Sequence, residues 1–121
     1  MKPEFIADRS IYLQIAESLE DDILTGVIEE EQQVPSTNQL AVMYRINPAT
    51  AAKGINLLVN EGILYKKRGI GMFVSTGAVA TVQLKRKTIF HEQFIAPLLE
   101  EAARLGIPVE EILEMIQAKE K

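Results

Sequence analysis

The chain of 121 residues has no cysteine and a single histidine, His91. Without thiols there is no disulfide framework and no thiolate metal site, which accords with a reducing compartment. One histidine, and no carboxylate pair with a partner base or metal-binding companion, gives neither a metal centre nor acid–base catalysis a set of residues. The chain is therefore expected not to be an enzyme and to have no catalytic residues, no metal and no cofactor. His91 stands beside an aromatic face and reads as structural, with a second role open to it as a charge near neutral pH at a subunit interface. Long apolar runs are missing too: nothing approaches the roughly 18 residues that span a bilayer. The opening MKPEFIADRS carries acidic residues and a proline where a signal peptide needs an apolar stretch, so a cytoplasmic location without a membrane partner is expected. No repeat of roughly 20–50 residues is visible.

What is present fits an ordinary globular protein. Apolar residues make up 47% and charged residues 25%, and the length allows one domain with a core and a small appendage. The net charge of −4 conceals a strong asymmetry. Between Arg45 and Lys87 lie eight basic residues (Arg45, Lys53, Lys66, Lys67, Arg68, Lys85, Arg86 and Lys87) against one acid, Glu61, a net charge of +7. The remainder has five basic and sixteen acidic residues and carries −11. Such segregation is expected of a surface that faces nucleic acid on an otherwise acidic protein, although a merely solvated basic face has the same composition.

Ile11, Ile15, Leu19 and Ile23 recur every four residues, with Tyr12 and Leu24 widening the stripe, and predict a first helix over residues 10–25. Glu17, Glu20, Asp21 and Asp22 fall mainly on the opposite side. Phosphate would repel such an acidic outer face, so this helix reads as scaffold; Gly26 supplies its stop. Residues 27–34 form a polar connection ending at Pro35. Ser36 and Gln39 have the S-x-x-Q spacing of a capping box and predict a short helix over 37–44, with Leu40, Ala41 and Tyr44 toward the core. Asn47 is a good N-cap and Pro48 suits a first helical position, so a third helix starts there, runs to about residue 61 and stops at Gly62. Its apolar stripe is Ala51, Ile55, Leu58 and Val59, with Ala49, Thr50, Lys53, Asn56 and Asn60 around the other side. Two short helices joined by about three residues, the second with a small and polar outer face, match a helix-turn-helix, though any helical hairpin shares the pattern.

Ile63-Leu64-Tyr65 and Met72-Phe73-Val74 are β-prone runs flanking Lys66-Lys67-Arg68-Gly69-Ile70-Gly71, and they predict a two-stranded hairpin with a basic, glycine-containing tip. Glycine lets the backbone approach a phosphate, and three adjacent cations supply the attraction. RGIG is too short for a dinucleotide fingerprint, and no βαβ pattern surrounds it. Residues 75–81, STGAVAT, read as a linker or the loose start of a helix. Residues 84–105 read as helix, with Phe90, Phe94, Ile95, Leu98, Leu99 and Ala102 on one apolar face; Pro97 within it should kink or reset it. Gly106 ends that helix and Pro108 opens a last one, to about residue 118, with Glu110 and Glu111 in its first turn and Lys119 near its end. Its apolar positions are Val109, Ile112, Leu113 and Ile116. Two amphipathic helices are too few to enclose a core. Their faces need the N-terminal domain or, in the preferred reading, the same hairpin of a second subunit.

Taken together these segments resemble the GntR superfamily of bacterial regulators. SIYLQI at 10–15, VPSTNQLA at 34–41, INPATA at 46–51, LVNEGIL at 58–64 and KRGIGMFV at 67–74 follow the family's order and spacing from Ser10 to Val74. The short tail, with EEAARLGI at 100–107, is similar to the YtrA subfamily, whose members carry a pair of C-terminal helices in place of a large effector domain. The resemblance implies a winged helix-turn-helix that binds a palindromic operator as a homodimer. It places DNA contacts at the N-terminal region of the second helix (Ser36, Thr37 and Asn38) and at the start of the third (Asn47, Pro48, Ala49 and Thr50). It also places them at the wing tip, on Gly69 with Lys66, Lys67 and Arg68. Position 38 is Asn where the family usually has arginine, and the third helix begins N-P-A-T where S-R-x-T is commoner. Both departures remove an arginine, which gives Lys53 and the wing a larger share and leaves Asn47 and Thr50 as readers or as caps.

The expected fold class is mainly α (α+β): a winged helix-turn-helix DNA-binding domain with a two-stranded β wing over residues 8–76, then a C-terminal two-helix dimerisation hairpin over residues 77–121. The expected function is that of a sequence-specific DNA-binding transcriptional regulator, a repressor, with a double-stranded DNA operator and a second copy of the chain as partners. Thr50, Lys53 and Asn56 would lie near base edges, and Phe90, Phe94, Leu98, Leu99, Ile112, Leu113 and Ile116 would pair the tails. About 40 residues after the wing form no large private pocket, so a small-molecule effector would sit between tail and domain or between subunits. The other reading is a winged-helix protein-interaction module without DNA binding, in which Asp21-Asp22 and Glu29-Glu30-Glu31 receive a basic partner.

Overall fold

The computed structural model describes residues 10–120; the opening segment ahead of Ser10, the first two residues of the expected DNA-binding span and Lys121 lie outside the described residues. The elements in order are α1 (Ile11–Leu24), α2 (Thr37–Tyr44), α3 (Pro48–Asn60), β1 (Leu64–Lys67), β2 (Gly71–Val74), α4 (Ala78–Phe90), α5 (Ala96–Leu105) and α6 (Val109–Glu120). A single π turn, His91–Ile95, joins α4 to α5. The architecture is the expected mainly helical one with a two-stranded antiparallel wing. It divides into two compact units, one ending at Gln83 and the other beginning at Leu84.

In the first unit α1 and α2 both pack on α3, and β1 lies against α3. Ile15, Leu19 and Ile23 of α1 meet Leu40, Ile55, Leu58, Ile63 and Val74 in the core, which Ala78 and Val82 of α4 complete. That burial decides between the two readings of residues 75–81: the chain turns at 75–77 and enters helix at Ala78, because Ala78 and Val82 have an apolar surface to cover. Gly54 sets the approach of α3 to α1, since a Cβ there would stand 2.8 Å from the Tyr12 carbonyl oxygen.

The acidic outer face expected on α1 is absent. From Tyr12 to Leu24 no residue is exposed, and Glu20 and Asp22 keep only 1% and 8% of their surface. At about 100° per residue, Ala16 and Glu20 flank one side of the Ile15–Leu19–Ile23 stripe and Ser18 and Asp22 the other. α1 is covered along both flanks, which makes it a central strut. Neither residue is without an interaction partner, as buried charge requires.

β1 and β2 pair antiparallel, from Leu64↔Val74 to Lys67↔Gly71. The connection ahead of α2 is more than a linker, for it borders the other edge of β2. Glu31 N–H donates to Val74 O at 2.8 Å, Val74 N–H to Gln32 O at 3.0 Å and Val34 N–H to Met72 O at 2.9 Å.

The helix expected over 84–105 is part of a longer helical run that starts at Ala78 and is interrupted before Pro97. Proline has no N–H to offer the carbonyl four residues back, and its ring would collide with it. The π turn resolves this by widening the helix, with Ala96 N–H donating to His91 O five residues back. In the second unit α5 ends at Gly106, Ile107 N–H donates to Ala102 O at 2.8 Å, and Ala102 and Ile112 are buried.

Candidate nucleic-acid interface

Ser36 opens α2 with the expected reciprocal cap: Gln39 N–H donates to Ser36 Oγ at 3.1 Å and Ser36 N–H donates to Gln39 Oε1 at 2.8 Å. Arg45 closes α2 in the left-handed conformation (φ 56°, ψ 50°), which turns the chain within three residues into α3. There Asn47 Oδ1 accepts Ala49 N–H at 2.8 Å and Pro48 takes the first position. Asn47 and Ser36 therefore do act as caps, yet each keeps a donor, the Asn47 NH₂ and the Ser36 O–H. Both helices present an N-terminus, where unsatisfied N–H groups and the helix dipole favour anions. Ser36, Asn38, Asn47, Pro48, Ala49, Lys53 and Asn56 are exposed, while Thr37 and Thr50 are half-buried. The Lys53 ammonium stands 4.2 Å from the centroid of the Tyr12 ring, a cation–π contact that holds this long side chain against α1. Tyr12 counted only as part of an apolar stripe in the sequence; nothing in its spacing pointed to this role.

The wing departs from the expected hairpin at its tip. Lys66 and Lys67 belong to β1, and the loop proper is Arg68-Gly69-Ile70. Ile70 N–H donates to Lys67 O at 3.0 Å, and Gly69 (φ 77°) takes the third position of that turn, where a positive φ suits glycine. Strand alternation sends Lys66 and Lys67 to opposite faces, so the cations line both sides of the wing. Lys67 shares its face with Tyr65 and Phe73, paired across the strands with ring centroids 6.0 Å apart, and its ammonium lies 4.2 Å from the Phe73 centroid. Gln33 Nε2 donates to Ile70 O at 3.0 Å and steadies the tip.

Two carboxylates of the acidic run 29–31, those of Glu30 and Glu31, are engaged within the fold. Glu30 caps α4, accepting Gly77 N–H at 2.8 Å and Val79 N–H at 3.1 Å. The Glu31 carboxylate accepts from the hydroxyls of Tyr65 and Thr76. Those bonds, Thr76's first, and the nearby Lys67 charge hold the Glu31 carboxyl below the ordinary glutamate range; the same bond raises the Tyr65 phenol. Residue type alone gave no sign of these roles, because three glutamates in a polar stretch look like solvated charge.

The profile described as "Bacterial regulatory proteins, gntR family" matches residues 11–74, more than half of the chain. The chain belongs to the GntR family. It is 31% identical over 107 residues to the HTH-type transcriptional repressor YtrA of Bacillus subtilis (strain 168), covering 88% of this chain and 82% of YtrA. A chain from Bacteroides thetaiotaomicron, described as a regulator of the GntR family, is 37% identical with a TM-score of 0.73, over 89% of this chain and 94% of that one. The DNA-binding domain of AraR, solved in complex with operator ORX1, is 31% identical with a TM-score of 0.54, covering 60% of this chain and 93% of that one. Some other curated relatives are much longer: the matches span 27% of the HTH-type transcriptional repressor NagR and 31% of the HTH-type transcriptional regulator YurK, both of Bacillus subtilis (strain 168).

Beyond the GntR match, the second unit presents apolar surface. Phe90, Phe94, Leu98, Leu99, Leu113 and Ile116 are between 40% and 60% exposed, whereas Ile112 lies in the buried seam of the hairpin. The Phe90 and Phe94 rings pair at 5.5 Å. Leu98, Ala102, Leu105, Ile112, Met115 and Ile116 line an open groove of about 820 Å³ between α5 and α6, so the tail alone forms a larger concave surface than its length led one to expect. Among the described residues no three His, Cys, Asp or Glu side chains converge as for a metal ion, and no helix is long and apolar enough to cross a membrane.

Proposed function

We propose that this GntR-family chain is a cytoplasmic transcriptional repressor that binds a palindromic DNA operator as a homodimer. The observation that carries this reading is the grouping, within the family-matched segment, of two exposed helix N-termini with Lys53 and the cationic wing. Its likeness to an AraR domain solved on its operator supports the same partner. α3 would enter the major groove with Thr50, Lys53 and Asn56 near base edges, while the amide ends of α2 and α3 hold phosphates. The two-sided wing suits an adjacent groove, where phosphates stand on either side of an inserted hairpin. The loss of arginine at position 38 and at the start of α3 gives Lys53 and the wing the larger part of the electrostatics.

Pairing of the tails accounts for the second unit. Covering each half-exposed Phe, Leu or Ile contributes roughly 1–2 kcal/mol, and two buried side chains cannot make a core by themselves. A dimer reading one face of the duplex needs half-sites roughly 10 bp apart. The α5–α6 groove is where a small apolar effector would act, next to that pairing surface. The test is filter binding on mixed-sequence duplex at low and moderate salt, with light scattering for the mass. Salt-sensitive binding by a dimer is expected. A monomer with no affinity for duplex at low salt overturns the reading and favours a protein-interaction module, although Glu30 and Glu31 are already committed inside the fold.

A further inference from the structure

We infer that Glu31 is the positioning residue of the wing: by accepting hydrogen bonds from Tyr65 and Thr76 it fixes where the tip cations meet DNA. The inference rests on the DNA-binding reading above and adds to it a residue that touches no nucleic acid. Glu31 is one of two residues other than glycine, among those described, with a positive φ (69°). A side chain with a Cβ is disfavoured in that conformation, so the surrounding contacts must hold it there. They do so from both ends. Its N–H is tied to Val74 of β2, and its carboxylate joins Tyr65 of β1 to Thr76, just ahead of α4. From Glu31 a continuous path of contacts leads outward: Tyr65 packs on Phe73, and Phe73 lies under the Lys67 ammonium. Beside it, Glu30 caps the first turn of α4. One short loop therefore fastens both the wing and the helix that follows it.

Glu31 also carries a negative charge close to Lys67, and removing that charge by itself would strengthen binding to phosphate. The test separates the two effects. Glu31→Gln and Glu31→Ala lose the same charge and bear the same backbone conformation, but glutamine keeps an acceptor for Tyr65 and a donor for Thr76. With the full chain and a fluorescent duplex, Glu31→Gln should bind within about threefold of the unaltered protein. Glu31→Ala should bind about tenfold more weakly than Glu31→Gln, with wing protection lost from a hydroxyl-radical footprint while the α3 protection persists. Tyr65→Phe, which breaks the bond from the other side, should lose affinity in the same direction. With Lys66, Lys67 and Arg68 all replaced by alanine, Glu31→Ala should have no further effect. Equal affinity of Glu31→Ala and Glu31→Gln, or a loss that persists in the wing-alanine background, overturns the proposal. Failure of the unaltered protein to bind any duplex would instead sink the DNA-binding reading, and this inference with it.

Discussion

Replacing Gly54 by alanine should destabilise the first unit although alanine is the better helix former. In an exposed helix the exchange gains about 1 kcal/mol. Here the new methyl would sit 2.8 Å from the Tyr12 carbonyl oxygen and 3.3 Å from Ile15 Cγ2. The nearer neighbour is backbone, in the first turn of α1, where the carbonyl is fixed by the helix and cannot swing aside as a side chain would, so α1 and α3 must separate to make room. Overpacking of this kind costs roughly 1–3 kcal/mol, and a rigid backbone neighbour argues for the upper half of that range. The net loss is then about 1–2 kcal/mol, or a fall in Tm of roughly 5–10 °C for a unit of this size. Lys53 is adjacent and rests on Tyr12, so affinity for duplex should fall with stability. Thermal denaturation followed by circular dichroism measures the first effect. A rise in Tm by the helix-propensity gain alone would refute the close contact of α1 with α3, and with it the packing that orients α3.

Removing the α2 cap with Ser36→Ala should cost about 1 kcal/mol in a denaturant titration, because Gln39 N–H loses its acceptor. Leu98→Glu combined with Leu113→Glu, both about half-exposed in the tail, should give a monomer by light scattering while the circular dichroism of the first unit persists; a dimer of unchanged mass would show that the tails pair elsewhere. Because the Glu31 carboxyl is depressed by Thr76 first, then Tyr65 and Lys67, its contribution to stability is present above the ordinary glutamate value of 4.5. That contribution is lost as pH falls through the lower folded value. Wing amides followed by NMR should therefore titrate below pH 4.5 in the unaltered protein and show no such step in Glu31→Gln.

Elements governed by local chemistry were legible in the sequence. The capping box at Ser36 and the Asn47–Pro48 start bound α2 and α3 where the periodicity put them, and the same residues leave the helix N-termini exposed. Local patterning said less where tertiary packing decides. The acids of α1 looked solvent-facing because their helix was assumed to bury one stripe, whereas neighbours cover it on both flanks. Pro97 signalled a disturbance, but a kink and a π turn satisfy the same missing N–H, and the sequence does not choose between them. Residues 29–34 carried no strand pattern, and their pairing with β2 exists only once α1 and the wing are in place. Glu30, Glu31 and Tyr12 act through partners 34 to 49 residues away or on another helix, beyond the reach of spacing rules.

The most direct test is the salt dependence of duplex binding, measured for the unaltered chain and for the variant with Lys66, Lys67 and Arg68 replaced by alanine. Each phosphate contact contributes a slope of about −0.9 in log K against log salt, so loss of the wing cations should flatten the slope by roughly 2–3. An unchanged slope, with affinity intact, would mean that the wing does not face the phosphates and that the proposed orientation on DNA is wrong.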